Sequence, residues 1–233
     1  MVSNRVELNI ESVSASELVY FAGDDVRLAG QIDYPKTTLP SNGFPLIFII
    51  QHATCHSRKR YLHITKLGSE MGAAVFRWDK RGTGRSSSGG SGSVMVDTLR
   101  AYEKAVNMPA IDRNRVVIYA QNEGTMLLQQ TYKDFVSIQE PLGAILAGNM
   151  LDEKSILKVH IPLHIVVSKN DWNAWQIYAE AAADAQAEKY GYHASFYVAT
   201  NTDRLLMYAN TKTFHRGAES SIKHWLEHTC RIS

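Results

Sequence analysis

The stretch that most constrains this chain is Arg115-Val116-Val117-Ile118-Tyr119-Ala120-Gln121-Asn122-Glu123-Gly124-Thr125-Met126. An apolar, β-branched run stops at a small residue, and Ala120-Gln121-Asn122-Glu123-Gly124 leads straight into Met126, Leu127, Leu128 and Tyr132 at helical spacing. The order is strand, tight turn, helix. The turn centres on Asn122, a residue that tolerates positive φ better than most non-glycine residues.

The same alternation recurs along the chain. Leu18–Phe21 and Val26–Tyr34 flank a Gly-Asp turn and predict an antiparallel pair. Leu46–Ile50 is a continuous apolar run, as expected of a parallel strand buried on both faces. Ala73–Trp78, Ala144–Ala147, Ile161–Ser168 and Ser195–Val198 are further strands. Between them, Tyr61, Ile64, Leu67 and Met71 keep helical spacing, and Val94–Asn107, Trp175–Tyr190 and Ala218–Cys230 read as helices. Asp112–Arg115 reads as a turn, the Ser/Gly-rich stretch to Ser93 as a mobile loop and Thr200–His215 as a long loop. With 233 residues, 45% of them hydrophobic, the chain suits one globular domain over 1–233. A formal charge of +2 without a basic cluster suggests neither a nucleic-acid footprint nor a membrane anchor. No apolar stretch approaches membrane-spanning length, and Met1–Ser16 does not read as a secretory leader, so a cytoplasmic protein is expected. Cys55 and Cys230 lie far apart and are read as two free thiols.

Several motifs between Val26 and Trp225 together resemble the α/β-hydrolases. Asp79-Lys80-Arg81-Gly82-Thr83-Gly84-Arg85-Ser86 resembles their D-x-R-G-x-G-x-S loop. The Ala-Gln-Asn-Glu-Gly turn resembles their G-x-S-x-G nucleophile elbow. Asn122-Glu123-Gly124 is similar to the Ser-Glu-Gly of the serine-aminopeptidase-like and small-esterase branches. Gln51-His52-Ala53 stands where many members carry His-Gly, the turn that gives the second oxyanion N–H. Ser168-Lys169-Asn170-Asp171 resembles the loop that bears the family's acid, and Thr202-Asp203-Arg204-Leu205-Leu206 matches the loop that bears its histidine. The resemblance implies an α/β fold with a doubly wound, mostly parallel sheet of about eight strands. The short gap from Ala147 to Ile161 implies no cap domain.

The same resemblance makes Asn122, Asp171 and Arg204 the triad-equivalent positions, of which only Asp171 is retained. An amide cannot attack an acyl group, and a guanidinium that stays protonated cannot accept a nucleophile's proton. Asn122 serves the turn as well as it would serve a ligand, and Arg204 is expected either to pair with Asp171 or to hold an anion. His52, Ala53, Thr54 and Glu123 are the candidate binding residues at the mouth of a pocket at the strand carboxyl ends. His56 lines the same loop. His215 is the alternative base, eleven positions late; Cys55 is read as an inert thiol, and Trp172 and Trp175 as core. His160, His164, His193, His224 and His228 are read as showing no ligand spacing for a metal, and no cofactor or metal is expected. Three readings stay open: a hydrolase fold that has lost acyl transfer and binds a small molecule, an enzyme using non-standard residues, and a structural or interaction subunit. The partner expected is a small-molecule ligand, with no nucleic acid and no membrane; the oligomeric state is left open.

Overall fold

The computed structural model describes residues 10–51, 57–148, 153–171, 173, 175–191 and 194–233. Eight strands form one sheet: β1 (Val13–Ala22), β2 (Arg27–Pro35), β3 (Phe44–Ile50), β4 (Ala74–Asp79), β5 (Ile111–Gln121), β6 (Gly143–Ala147), β7 (Leu163–Ser168) and β8 (Ser195–Ala199), in the order β1-β2-β4-β3-β5-β6-β7-β8. The hairpin β1–β2 and the β2–β4 pair are antiparallel, and every pairing from β4 to β8 is parallel. All seven residues of β3 are buried, as its unbroken apolar run requires.

Helices cover both faces. Alternation along β3 and β5 sends Leu46, Phe48, Ile50, Val116, Ile118 and Ala120 to one face. There they pack under α2 (Val94–Val106), α3 (Glu123–Ile138), α4 (Glu153–Ile156) and α5 (Trp175–Tyr190). Ile47, Ile49, Val117 and Tyr119 face the other way, toward α1 (Leu62–Glu70) and α6 (Arg216–His228). Burying these two apolar layers is the main drive for closing the sandwich. Among the described residues no helix is long and apolar enough to cross a membrane.

Local departures from the sequence reading have local causes. β1 begins at Val13, well before Leu18, because polar side chains rather than apolar ones secure its outer half. Ser14 Oγ donates to the Pro35 carbonyl (2.9 Å) and Ser16 Oγ to Asp33 Oδ1 (2.6 Å). Residues 112–115, read as a turn, belong to β5. They bulge within it, since the pairing with β3 jumps from Phe44–Ile111 to Leu46–Val116. The Ser/Gly-rich loop is tied at both ends: Ser87 N–H donates to the Arg27 carbonyl (2.9 Å) and Ser93 N–H to Asp24 Oδ2 (2.7 Å).

His164 shows how completely α6 seals its face. The imidazole on β7 is 2% exposed, stacks on Trp225 at 5.8 Å, and sits between Ser195 Oγ (2.8 Å) and Ser221 Oγ (3.0 Å). Burial holds its pKa down to about 4, against an ordinary 6.5. Below pH 6.5 the unfolded chain therefore binds a proton that the folded chain refuses. Stability from this group is full above pH 6.5, declines as pH falls toward 4, and declines no further below that value. The decline is on the order of 3 kcal/mol. Urea unfolding at pH 7 and pH 4.5 should show a smaller pH-linked loss in His164→Gln than in the unaltered chain; equal losses would contradict the assignment.

Candidate functional site

The site begins where β5 ends. Asn122 adopts φ 49° and ψ −117°, and the chain enters α3 at the next residue. Its N–H donates to the Ala147 carbonyl on the neighbouring strand (2.8 Å), while its own carbonyl accepts from the Thr125 N–H (2.8 Å) and Thr125 Oγ1 (2.7 Å). Gly124 lets α3 approach the end of β3: a Cβ there would lie 2.5 Å from the Ile50 carbonyl oxygen and 3.0 Å from that of Gln51. No side chain fits that gap. Glu123 opens the helix half-buried, a favourable place for an anion against the helix dipole.

The Asn122 side chain is the unusual element of the turn. The residue is 0% exposed, and neither its amide oxygen nor its amide nitrogen has a hydrogen-bond partner. Its Oδ1 lies against Gly148, where a Cβ would collide with it and would also stand 2.6 Å from the Arg204 backbone carbonyl. Gly148 has φ 91°. Gln121 braces the same corner, with Nε2 donating to the carbonyls of Arg204 (3.0 Å) and Ala147 (3.2 Å). The loop carrying Arg204 is thereby pinned beside the elbow.

Arg204 connects the elbow corner to Asp171. Its Nη2 stands 3.9 Å from Asp171 Oδ1, beyond hydrogen-bonding range. The Asp171 side chain is 1% exposed, that of Arg204 is 38% exposed, and neither carboxylate oxygen of Asp171 has a hydrogen-bond partner. The contact is a loose one-point approach and not the bidentate fork that Arg and carboxylate can form. Among the described residues no imidazole donates to Asp171.

The motif that resembled the family most closely has a structural job. The Asp79 carboxylate, 0% exposed, takes the Arg58 guanidinium, the Arg58 N–H (2.8 Å) and the Arg85 N–H (2.8 Å). Ser86 Oγ donates to the Asp79 carbonyl (2.6 Å) and accepts from the Ala29 N–H (2.9 Å), joining β4 to β2. Arg81 reaches the buried Asp97 of α2 through Nε (2.7 Å) and Nη2 (3.0 Å) and the Asp24 carbonyl through Nη2 (2.9 Å). Asp33 and Arg77 form a second buried pair at 2.6 Å. Satisfied charges of this kind hold strand ends in place, and removing one partner would strand the other.

Other candidates fall out differently. His52, Ala53, Thr54, Cys55, His56, Trp172 and His193 lie outside the described residues. His215 caps α6: its Nδ1 accepts the Ala218 N–H (3.0 Å) and its ring lies 4.8 Å from that of Tyr208. A ring nitrogen so occupied must stay unprotonated, and burial lowers its pKa. Trp175 packs partly buried against the core, as read. Cys230 is buried and free, its thiol pushed up to about 12 by burial. His224 and His228 stand one helical turn apart on α6, with ring centres 3.9 Å from each other. No third His, Cys, Asp or Glu completes a metal group with them among the described residues.

No protein-family model and no curated protein matches the chain. Solved structures do. An esterase of Pyrococcus furiosus matches with a TM-score of 0.72 at 11% identity, over 99% of this chain and 98% of that one. The esterase domain of a Rhodothermus marinus protein matches at 0.66 and 16% identity, over 93% and 100%, and a predicted CIB-like hydrolase of Thermoplasma acidophilum at 0.65 and 16%, over 90% and 99%. The chain has the α/β-hydrolase fold. Within that fold the elbow, the acid loop after β7 and the loop after β8 meet at the carboxyl ends of the parallel strands, where Asn122, Asp171 and Arg204 are brought together.

The looseness of the Asp171–Arg204 contact sets its energetic weight. With one partner half-exposed and the approach at 3.9 Å, the coupling is expected to be below about 1 kcal/mol at neutral pH. A double-mutant cycle with Asp171→Asn and Arg204→Ala, read by urea unfolding, checks it; coupling of several kcal/mol would show a closed, shielded pair instead.

Proposed function

We propose that this α/β-hydrolase-fold chain binds a small molecule at its elbow and does not catalyse acyl transfer. The observation that carries the reading is Asn122 itself: it holds the elbow backbone at φ 49° while presenting an amide where attack on an acyl carbon needs a hydroxyl or thiol. The position that the resemblance gives to the base supports the same reading, since Arg204 stands there beside Asp171 and has no acceptor for a proton. Loss of one group is sometimes compensated, but joint loss removes nucleophile and base together. The solved structures that share the fold are named esterases and hydrolases, which supports a hydrolase ancestry for the site and not its chemistry in this chain. The retained Asp79–Ser86 loop is explained by the hydrogen bonds it makes within the fold, so it adds nothing in favour of activity. The binding site proposed lies at the strand carboxyl ends, with His52, Ala53, Thr54 and Glu123 as further lining. The sequence suggested an anion for Arg204; the Asp171 carboxyl group beside it weighs against one.

Purified protein should release no more p-nitrophenol from short-chain esters, and no more amine from aminoacyl amides, than a denatured control. Asn122→Ser alone should change little, because the new hydroxyl lacks a base. Asn122→Ser with Arg204→His should give measurable ester hydrolysis, far above the sum of the single variants. Activity in the unaltered protein, or a folded double variant no faster than either single one, would contradict the proposal.

A further inference from the structure

The loop over residues 200–215, which carries Arg204 beside the elbow, is held closed against its own backbone preferences. Asn201 (φ 58°), Leu206 (φ 62°) and Lys212 (φ 54°) all lie in the left-handed region, and a leucine there is an outlier that persists only when surrounding contacts hold it. The loop folds back on itself, with Thr202 bridged to Tyr208 and Met207 to Phe214. Leu206 is 0% exposed and belongs to the apolar layer under α6. Upstream, Ser168 Oγ and Gln121 Nε2 donate to the carbonyls of Thr202 (2.8 Å) and Arg204 (3.0 Å). Downstream, His215 closes the loop onto α6.

His215 makes this closure with backbone and side chain together. Its N–H donates to the Leu206 carbonyl (2.9 Å), its own carbonyl accepts the Glu219 N–H (2.9 Å), and its Nδ1 accepts the Ala218 N–H (3.0 Å) as the N-cap of α6. Its ring lies 4.8 Å from that of Tyr208 in the loop and 6.1 Å from that of Tyr197 on β8. The cap requires a neutral imidazole. A proton on Nδ1 would aim one donor at another and set a positive charge at the positive end of the α6 dipole. Burial alone lowers the pKa of His215 from its ordinary 6.5. The charged side chains around it are engaged or turned to water: Asp203 Oδ1 accepts the Leu205 (2.9 Å) and Met207 (3.0 Å) N–H groups, Glu219 pairs with Lys223 (2.9 Å), and Lys212 and Arg216 are exposed. One other imidazole touches the loop, His63 of α1, whose ring meets that of Phe214 at 4.8 Å and whose pKa burial holds down to about 3. We propose that His215 is a pH-sensitive latch: neutral, it holds the Arg204 loop closed on α6, and protonated, it releases the loop and opens the side of the elbow. The closed state keeps the full contribution of this group above pH 6.5, loses it as pH falls below 6.5 toward the lowered value, and loses no more below that. That the opening serves a ligand rests on the reading of the chain as a binding protein; the latch itself does not.

Amide hydrogen exchange, corrected for the intrinsic rate at each pH, reads the opening directly. The comparison is made in His63→Gln, which removes the other imidazole in contact with the loop. Between pH 7.5 and pH 5.5, protection at Leu206, Tyr208, Lys212 and His215 should fall by about threefold to tenfold, tenfold being the limit for one histidine of ordinary pKa in the open loop. At both pH values these amides should exchange more readily than those of β3, which report unfolding of the whole chain. Adding His215→Asn, which caps the helix without titrating, should reduce the fall to below about twofold. If a variant fails to fold, the imidazole resonances of the unaltered chain decide: the His215 midpoint should lie below pH 6.5 and coincide with the change in the loop amides. A fall no larger than that seen with His215→Asn, loop amides as protected as those of β3 at both pH values, or a His215 midpoint at or above pH 6.5 would overturn the latch. Ester hydrolysis by the unaltered protein would overturn the proposed function instead and leave the exchange result standing, so the two failures are distinguishable.

Discussion

Everything at the functional end of this molecule depends on one backbone constraint, the reversal from β5 to α3 across Asn122. The turn needs a residue at φ 49° and ψ −117°, a conformation that L side chains rarely adopt. Serine holds it in active members of the resembling family, and asparagine is among the residues that resist it least. Asparagine therefore leaves the elbow intact, and in the reading proposed here it removes the nucleophile. The consequences reach the neighbouring strands: Asn122 N–H is anchored on Ala147, Gly124 sits against the end of β3, and Gln121 holds the backbone of the Arg204 loop.

Charge is arranged in two distinct ways in the fold. Away from the elbow, buried carboxylates are paired and hydrogen-bonded, as with Asp79 and Arg58, Asp33 and Arg77, or Asp97 and Arg81. Such pairs are costly to break, because removing one partner leaves the other buried and uncompensated. At the elbow, Asp171 is as deeply buried as these carboxylates yet has no hydrogen bond, and Asn122 has none on either amide atom. A buried carboxylate without hydrogen bonds is a local destabilisation, a pattern found where binding or catalysis supplies the missing partner.

Much of the fold was legible in the sequence because apolar periodicity and turn residues act locally. The alternation of strands and helices and the positive-φ turn at Asn122 all follow from short-range sterics and burial. What could not be read depends on residues distant in the chain. The extra length of β1 rests on Ser14 and Ser16 reaching across to Pro35 and Asp33, and the clamp around Asp79 draws on Ala29, Arg58 and Arg85. His164 is read from sequence as one residue in an apolar run; only the fold brings Ser195, Ser221 and Trp225 around it. At the site, motif spacing put Asp171 and Arg204 side by side, but spacing carries no distance. Whether they form a fork or stand 3.9 Å apart is decided by how Gln121 fixes the backbone of the Arg204 loop and by how far the guanidinium leans toward solvent.

The central claim is that a hydrolase scaffold here presents an elbow without a nucleophile. Reaction of the folded protein with a fluorophosphonate, followed by intact-mass spectrometry, tests it without choosing a substrate, since such reagents phosphonylate activated nucleophiles in oxyanion sites. The expected result is an unchanged mass after prolonged exposure, with an adduct appearing at residue 122 once Asn122→Ser and Arg204→His are both introduced. A stoichiometric adduct on the unaltered protein, mapped to any residue beside the elbow, would contradict the account.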